Sequence, residues 1–184
     1  MKKLSIAALA AVTLAVSANA NAAEPATAGK PNVGAALLYG IYTGDDNGDL
    51  NPYGIGFGVN GGYTLDMGLH VGAGFNYFLG DSTEVLGIEV ETNMYQFMGI
   101  VGYDLGLTPE LVLRPQLGIG MHWTAGSVNG ESDSESDLAI APGAKVLYDL
   151  GGFYISGEAA YHHVFADDVN VDGFLLGVGA GLTF

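Results

Sequence analysis

The chain of 184 residues carries 30 glycines, no cysteine and a formal net charge of -15, from 20 Asp and Glu against 5 Lys and Arg. That balance excludes a nucleic-acid binder, which needs a basic face, and the missing cysteine excludes disulfides, thiolate zinc sites and lipid-modified cysteines. With 49% hydrophobic residues it is too apolar for a disordered acidic chain, and its length suits one domain.

Lys2 and Lys3 precede an apolar run from Leu4 to about Ala18, then the small-residue stretch Ala18-Asn19-Ala20-Asn21-Ala22-Ala23. This three-part pattern predicts a secretory signal peptide over 1–22, cleaved after Ala20 or Ala22. The competing reading, an N-terminal membrane anchor, needs a run of about 20 residues. Cleavage leaves Lys30, Arg114 and Lys145 as the bases and a net charge of -17. Residues 23–31, polar and punctuated by Pro25 and Pro31, read as a flexible leader.

After Pro31 no apolar run reaches 18 residues, so no membrane helix is encoded. Alternation of period two dominates instead, the mark of strands with unlike faces. A weak instance over 32–43 opens the series. Tyr53, Ile55, Phe57, Val59, Gly61, Tyr63 and Leu65 then share one face, opposite Gly54, Gly56, Gly58, Asn60, Gly62 and Thr64. Leu69, Val71, Ala73, Phe75, Tyr77 and Leu79 alternate with His70, Gly72, Gly74 and Asn76. Over 92–104 the signal is weaker. Tyr95, Phe97, Val101 and Tyr103 hold one phase while Ile88 and Val90 hold the other, so a bulge or a strand start is expected near Thr92.

Leu111, Leu113, Leu117, Ile119, Met121 and Trp123 alternate with Val112, Arg114, Gln116, Gly118, Gly120 and His122. A weak strand follows over 138–148, and then Phe153, Ile155, Ala159 and Tyr161 oppose Tyr154, Ser156, Glu158 and His162. Last, Phe174, Leu176, Val178, Ala180, Leu182 and Phe184 oppose Gly173, Gly177, Gly179, Gly181 and Thr183. That makes eight strands.

The connections alternate in length. Gly44–Pro52, Gly80–Gly87, Ala125–Ser136 and Ala166–Asp172 are long and acidic or glycine-rich; Asp66–Gly68, Leu105–Glu110 and Asp149–Gly152 are short. Such alternation suits antiparallel strands laid up and down, with short turns on the periplasmic rim and long loops outside.

A soluble barrel shares this period, so the faces decide. A solvent face would be rich in Lys, Glu, Thr and Ser. Here the less apolar faces carry mainly Gly, Asn, Gln and His, and fourteen of the acids lie in the long connections and their margins. Uncharged strands are what lipid demands, because a charge on the lipid face costs ~2–4 kcal/mol at mid-depth. The expected fold is therefore an all-β, eight-stranded antiparallel up-and-down transmembrane β-barrel over 32–184, apolar outside and polar within.

On these features the chain resembles the small eight-stranded outer-membrane barrels of OmpA and OmpX type, a porin-like group of the Gram-negative cell envelope. One carrier is the terminal strand Phe174, Leu176, Val178, Ala180, Leu182 and Phe184, ending in phenylalanine. The resemblance implies that these residues are the signal read by the outer-membrane assembly machinery. A second is the set Tyr39, Tyr53, Tyr63, Tyr77, Tyr95, Tyr103, Trp123 and Tyr161, placed for interfacial girdles. A third is the inward charge cluster Arg114, Lys145 and Glu158. It also implies outer-membrane lipids and lipopolysaccharide as surroundings, no nucleic acid, and a monomer. With Phe184 as the last residue of the sequence, the peptidoglycan-binding domain of the longer members is not expected.

Arg114, Lys145 and Glu158 read either as a gate that exchanges ion pairs or as a structural plug; the plug is favoured, because an unpaired enclosed charge is costly. His70, His122 and His162 share the inward phase, but no carboxylate sits at ligand spacing, so they read as polar filling and no metal or other cofactor is expected. Some barrels of this kind modify lipids with a His, a Ser and an acid. His122-Trp123-Thr124 offers threonine where such an enzyme needs serine, Ser127 is out of register, and His162-His163 has no serine beside it, so no catalytic residue is assigned. Asp45-Asp46-Asn47-Gly48-Asp49 opens like a calcium loop but has Gly56 where the closing Glu belongs. It and Glu131–Asp137 read as solvated acidic tips with weak affinity for divalent ions.

The expected role is a scaffold displaying acidic extracellular loops. The alternatives are a small pore for ions or small solutes and, after it, a lipid-modifying enzyme. Deleting Phe184 is expected to lower the outer-membrane yield without impairing secretion; unchanged yield on membrane fractionation would count against the assembly signal.

Overall fold

In the computed structural model, which describes residues 23–43, 53–85, 88–128, 131–166 and 171–184, the regular elements are all strands. They are β1 (Lys30–Tyr42), β2 (Gly54–Thr64), β3 (Leu69–Val85), β4 (Ile88–Tyr103), β5 (Leu105–Gly106), β6 (Leu111–Val128), β7 (Glu131–Asp149), β8 (Phe153–Val164) and β9 (Gly173–Thr183). Eight are long; β5 is a two-residue piece hydrogen-bonded to β6. Each long strand runs antiparallel to its neighbours, and β1 pairs with β9. β4 pairs with β6 from Val90↔Val128 to Gly102↔Gln116, and the ring closes where the first strand meets the last, from Asn32↔Thr183 to Tyr42↔Gly173. This is the expected eight-stranded up-and-down barrel.

The pleat puts alternate residues outside, and the outside is apolar. Leu37 is 66% exposed, Phe57 51% and Val178 67%, on adjoining strands. A contiguous greasy wall of this size is untenable in water and suited to hydrocarbon. Along β3 its apolar alternation runs from Leu69 to Leu79, which matches the ~9–11 residues of a spanning strand. Near the long-hairpin end, register aligns Phe57 with Tyr77, Tyr77 with Tyr95 and Tyr95 with Trp123, an aromatic belt across four strands. Its ring centroids lie 5.2 Å apart for Phe57 and Tyr77 and 5.0 Å apart for Tyr77 and Tyr95. Tyr39, Tyr63 and Tyr148 are exposed on the same outer surface.

Three sequence expectations need correction. The connections assigned to 80–87 and 125–136 are mostly strand. β3 continues to Val85 and β4 starts at Ile88; β6 continues to Val128 and β7 starts at Glu131. Beyond the bilayer no lipid imposes an apolar face, so the hydrophobic period fades while the backbone ladder continues. The expected bulge is real but sits in β3, where the register shifts between Leu79 and Ser82, rather than near Thr92 in β4. Tyr53, placed by phase on the girdle, is instead buried at 1% exposure. Gly54 follows it with φ of +53°, a left-handed turn open to glycine, and this breaks the phase just before β2.

The leader expected over 23–31 lies against the short-turn rim, where Thr27 is buried and β1 already starts at Lys30. The interior is also less uniformly polar than its alternation suggests. Ala36, Leu38, Tyr53, Phe78, Met94 and Leu175 pack together toward the long-hairpin end, and Val112, Leu147 and Tyr154 toward the short turns. The loop over 44–52 and the acids Asp167 and Asp168 fall outside the described residues.

An outward charge should be felt by depth. Val59→Arg, mid-strand on the lipid face, is expected to destabilise the barrel by about 2–4 kcal/mol, and Leu107→Arg in a short turn by under about 1 kcal/mol. Denaturant titration in lipid vesicles, read by the gel shift between folded and boiled protein, measures both.

Candidate functional site

The barrel lumen gathers the polar groups that the strands direct inward, in three tiers. At the short-turn end, Asp104 follows the last residue of β4 in the inward phase. The Arg114 guanidinium from β6 grips it with two bonds, Nε to Oδ1 at 2.5 Å and Nη2 to Oδ2 at 2.8 Å. The hydroxyls of Thr27 and of Thr64, the latter at 3.1 Å, also donate to the carboxylate. His70 Nδ1 lies 3.0 Å from the Thr64 hydroxyl, which spends its own proton on Asp104, so the imidazole is the donor there. Such a bidentate, charge-assisted pair is among the stronger polar contacts available.

The middle tier holds Lys145 and Glu158. Arg114, Lys145 and Glu158 are successive register partners on β6, β7 and β8, so they stand side by side at one level. Lys145 Nζ lies 3.3 Å from Glu158 Oε2 and donates to Asn60 Oδ1 at 3.4 Å. A Cβ on Gly177 would stand 2.8 Å from Glu158 Cγ, so this glycine leaves the room the glutamate fills. Arg114 thus takes Asp104, a carboxylate that sequence reasoning passed over, while Lys145 takes Glu158. Two cations face two anions, and the two tiers are each neutral. Above it lies a cavity of about 60 Å³ lined by Asn60, Asn76, Gln116, Lys145, Glu158 and His162, among others. That volume admits roughly four waters.

In the upper tier Gln96 is buried and fully engaged. Its carbonyl accepts from Asn76 Nδ2 at 3.3 Å, and its amide stands 3.3 Å from His122 Nδ1 and 2.9 Å from His162 Nδ1. One amide has two protons, one for each imidazole, so both Nδ1 atoms are acceptors. His122 then carries its proton on Nε2 and donates it to Thr124 Oγ1 at 3.1 Å. That tautomer is the wrong one for a general base, since the nitrogen facing the hydroxyl is already protonated. Tyr53 covers this tier, 5.6 Å from Phe78 and 6.3 Å from His162 between ring centroids, with its hydroxyl donated to the Val171 carbonyl at 2.7 Å. Gly40 and Gly173 admit its ring, because a Cβ at either would collide with it.

Among the described residues no group of three or more metal-ligating side chains forms. The three inward histidines bind hydroxyls and an amide instead. At the outer rim Asp172 accepts from Tyr161 Oη at 2.7 Å, His163 Nδ1 at 2.8 Å and the Val164 N–H at 3.2 Å, a clasp that sequence reasoning missed. No periodic signal marks it, because the three donors sit at the end of β8 and the acid lies in the connection to β9. Of the acidic hairpin Glu131–Asp137, Glu135 is exposed and Asp137 half-buried.

A closed wall that is apolar outside and a lumen that is filled and charge-balanced define a small outer-membrane barrel. The family described as outer membrane protein beta-barrel domain matches residues 7–183, and the chain belongs to it. Its place is the outer membrane. Three solved structures share the fold. Ail, the attachment invasion locus protein of Yersinia pestis, is 20% identical over 85% of this chain and 99% of its own, with a TM-score of 0.60. Neisserial surface protein A is 14% identical over 84% and 97%, with a TM-score of 0.63. The N-terminal barrel of Pseudomonas aeruginosa OprF is 17% identical over 83% and 97%, with a TM-score of 0.52. Comparison with curated protein sequences finds no match.

Breaking one half of the lower ion pair leaves a buried charge alone. Arg114→Leu is expected to cost about 3–5 kcal/mol, and adding Asp104→Leu to recover most of the loss. Denaturation midpoints of the two single variants and the double variant read this directly.

Proposed function

We propose that the protein is a non-enzymatic, closed outer-membrane scaffold that displays acidic hairpins at the cell surface. The observation that carries the reading is the filled lumen. Tyr53, Phe78, Met94 and the Gln96 cluster occupy one end, Thr27, Asp104 and Arg114 the other, and a cavity of about 60 Å³ lies between them. Arg114, Lys145 and Glu158 then act as a structural plug: each is paired, and exchanging partners would strand a charge in a confined, poorly hydrated space.

The surface chemistry follows from where the bases sit. Lys30 stands at the short-turn rim, and Arg114 and Lys145 are inside, so no lysine or arginine of residues 23–184 serves the long hairpins. The Ail structure is known in complex with a heparin analogue, sucrose octasulfate. A polyanion of that kind finds no such cation on the outer end of this barrel. Lipopolysaccharide phosphates would meet the acidic hairpins through divalent ions, held weakly and without a dedicated site. Assembly would use the terminal strand, where Phe174, Leu176, Val178, Leu182 and Phe184 are exposed on one face and Ala180 is half-buried, after removal of a signal peptide over 1–22. The barrel works as a monomer, since its sheet has no open edge left to pair with another copy.

The pore is the second reading, favoured only by the polar lining of the cavity. Planar-bilayer recording separates the two. The scaffold gives at most weak, irregular current; a large, steady, ion-selective conductance would establish the pore instead.

A further inference from the structure

Residues 23–29 cross the short-turn mouth of the barrel from wall to wall. At one end the Ala23 N–H donates to the Gly106 carbonyl at 3.0 Å, in β5, itself paired with β6. At the other, the Gly29 N–H donates to the Thr64 carbonyl at 2.9 Å, at the end of β2, and the chain enters β1. In the ring of eight long strands β6 stands opposite β1, so this segment spans the diameter. Between its ends, a turn closed by the Ala28 N–H on the Pro25 carbonyl at 2.9 Å sends Thr27 into the mouth. Thr27 is only 3% exposed, and its hydroxyl donates to the carboxylate that Arg114 holds.

The attachment is slight. It consists of backbone bonds at the two ends, the Thr27 hydroxyl in the middle and two exposed side-chain bonds, Tyr63 Oη to the Gly29 carbonyl at 3.1 Å and Lys30 Nζ to the Ala26 carbonyl at 2.8 Å, while Pro25, Ala26 and Ala28 offer little apolar surface to bury. Segments held this way sit at the low end of local stability. Hydration of this end is also favoured by Asn32, two residues into β1. Its Nδ2 is buried without a partner, a state that water would relieve.

We propose that residues 23–29 form a hinged strap that controls access from the periplasm to the luminal cavity. Seated, Thr27 caps the Asp104–Arg114 pair and the mouth is shut. Released, the strap exposes that pair and opens the cavity to water and small polar solutes. The inference adds a movable closure to the scaffold reading, from which it takes the periplasmic assignment of the short turns.

The absence of native cysteine provides a clean probe. Gln116 lines the cavity, so Gln116→Cys places one thiol inside it. Its reaction with a small water-soluble thiol reagent is followed in the protein folded in lipid vesicles, with folding checked by gel shift. Three backgrounds are compared: the intact strap, a chain lacking 23–29, and Thr27→Val, which keeps the shape but loses the hydroxyl. The intact strap should react slowly and Thr27→Val roughly ten- to hundredfold faster, as expected for losing one hydrogen bond to a charged group. Deletion should react at least as fast as Thr27→Val, and Thr27→Ser should stay slow. Equal, slow rates in all backgrounds would overturn the strap and leave the closed scaffold standing. Equal, fast rates would overturn both. If the deletion does not fold, the comparison of Thr27→Val with Thr27→Ser decides alone.

Discussion

In hydrocarbon an amide has no water to bond, and each unsatisfied group costs several kcal/mol. A sheet can enter such a solvent only if its last free edge finds a partner. In this chain the two ends supply it: β1 and β9, the first and last strands, pair from Asn32↔Thr183 to Tyr42↔Gly173. Much else is a consequence of that seam. Eight strands closed on themselves leave a lumen just wide enough for side chains, so the interior must be packed rather than open. Alternation then assigns each residue to lipid or lumen, and an outward charge is penalised wherever the wall is immersed.

Filling a narrow lumen with few large residues requires unequal neighbours. Tyr53 lies across the upper end because Gly40 and Gly173 stand where larger residues would block it. Glu158 reaches Lys145 over the bare backbone of Gly177. Among the described residues the lumenal charges stand in pairs, Asp104 with Arg114 and Glu158 with Lys145, so their dielectric penalty is offset locally. The glycine richness of the chain thus has a packing reason. Gly40 and Gly173 make room for Tyr53, Gly181 for Tyr154, Gly102 for Arg114, Gly177 for Glu158 and Gly56 for Phe78, in each case a side chain from another strand or connection.

The wall was legible in the sequence because lipid imposes a strict period. Phe57, Tyr77, Tyr95 and Trp123 each fall in phase on their own strands, and the structure lines them up in register. The hairpin arms were not legible, since residues such as Ser134, Glu135 and Ser136 lie beyond the bilayer, where both faces are wet and no period survives. In the lumen, Arg114, Lys145 and Glu158 could be placed by phase. Asp104 closes the 92–104 stretch and the inward phase reaches it one step past Tyr103, but its pairing with Arg114 follows only from how the strands meet. Tyr53 was misplaced because Gly54 breaks the phase. Thr27 was invisible, since nothing periodic marks a segment that binds by its backbone.

The central claim is that the apolar faces look into lipid and the histidine and charge clusters look inward. Trp123 is the only tryptophan, and it follows the inward His122 on β6 at the level of the outer aromatic belt. Its fluorescence in vesicles can be challenged with lipids brominated at successive depths and with aqueous iodide. Strong quenching by bromines near the headgroup end of the acyl chains, with little effect of iodide, is the predicted result. Quenching by iodide alone, with brominated lipids inert at every depth, would contradict it.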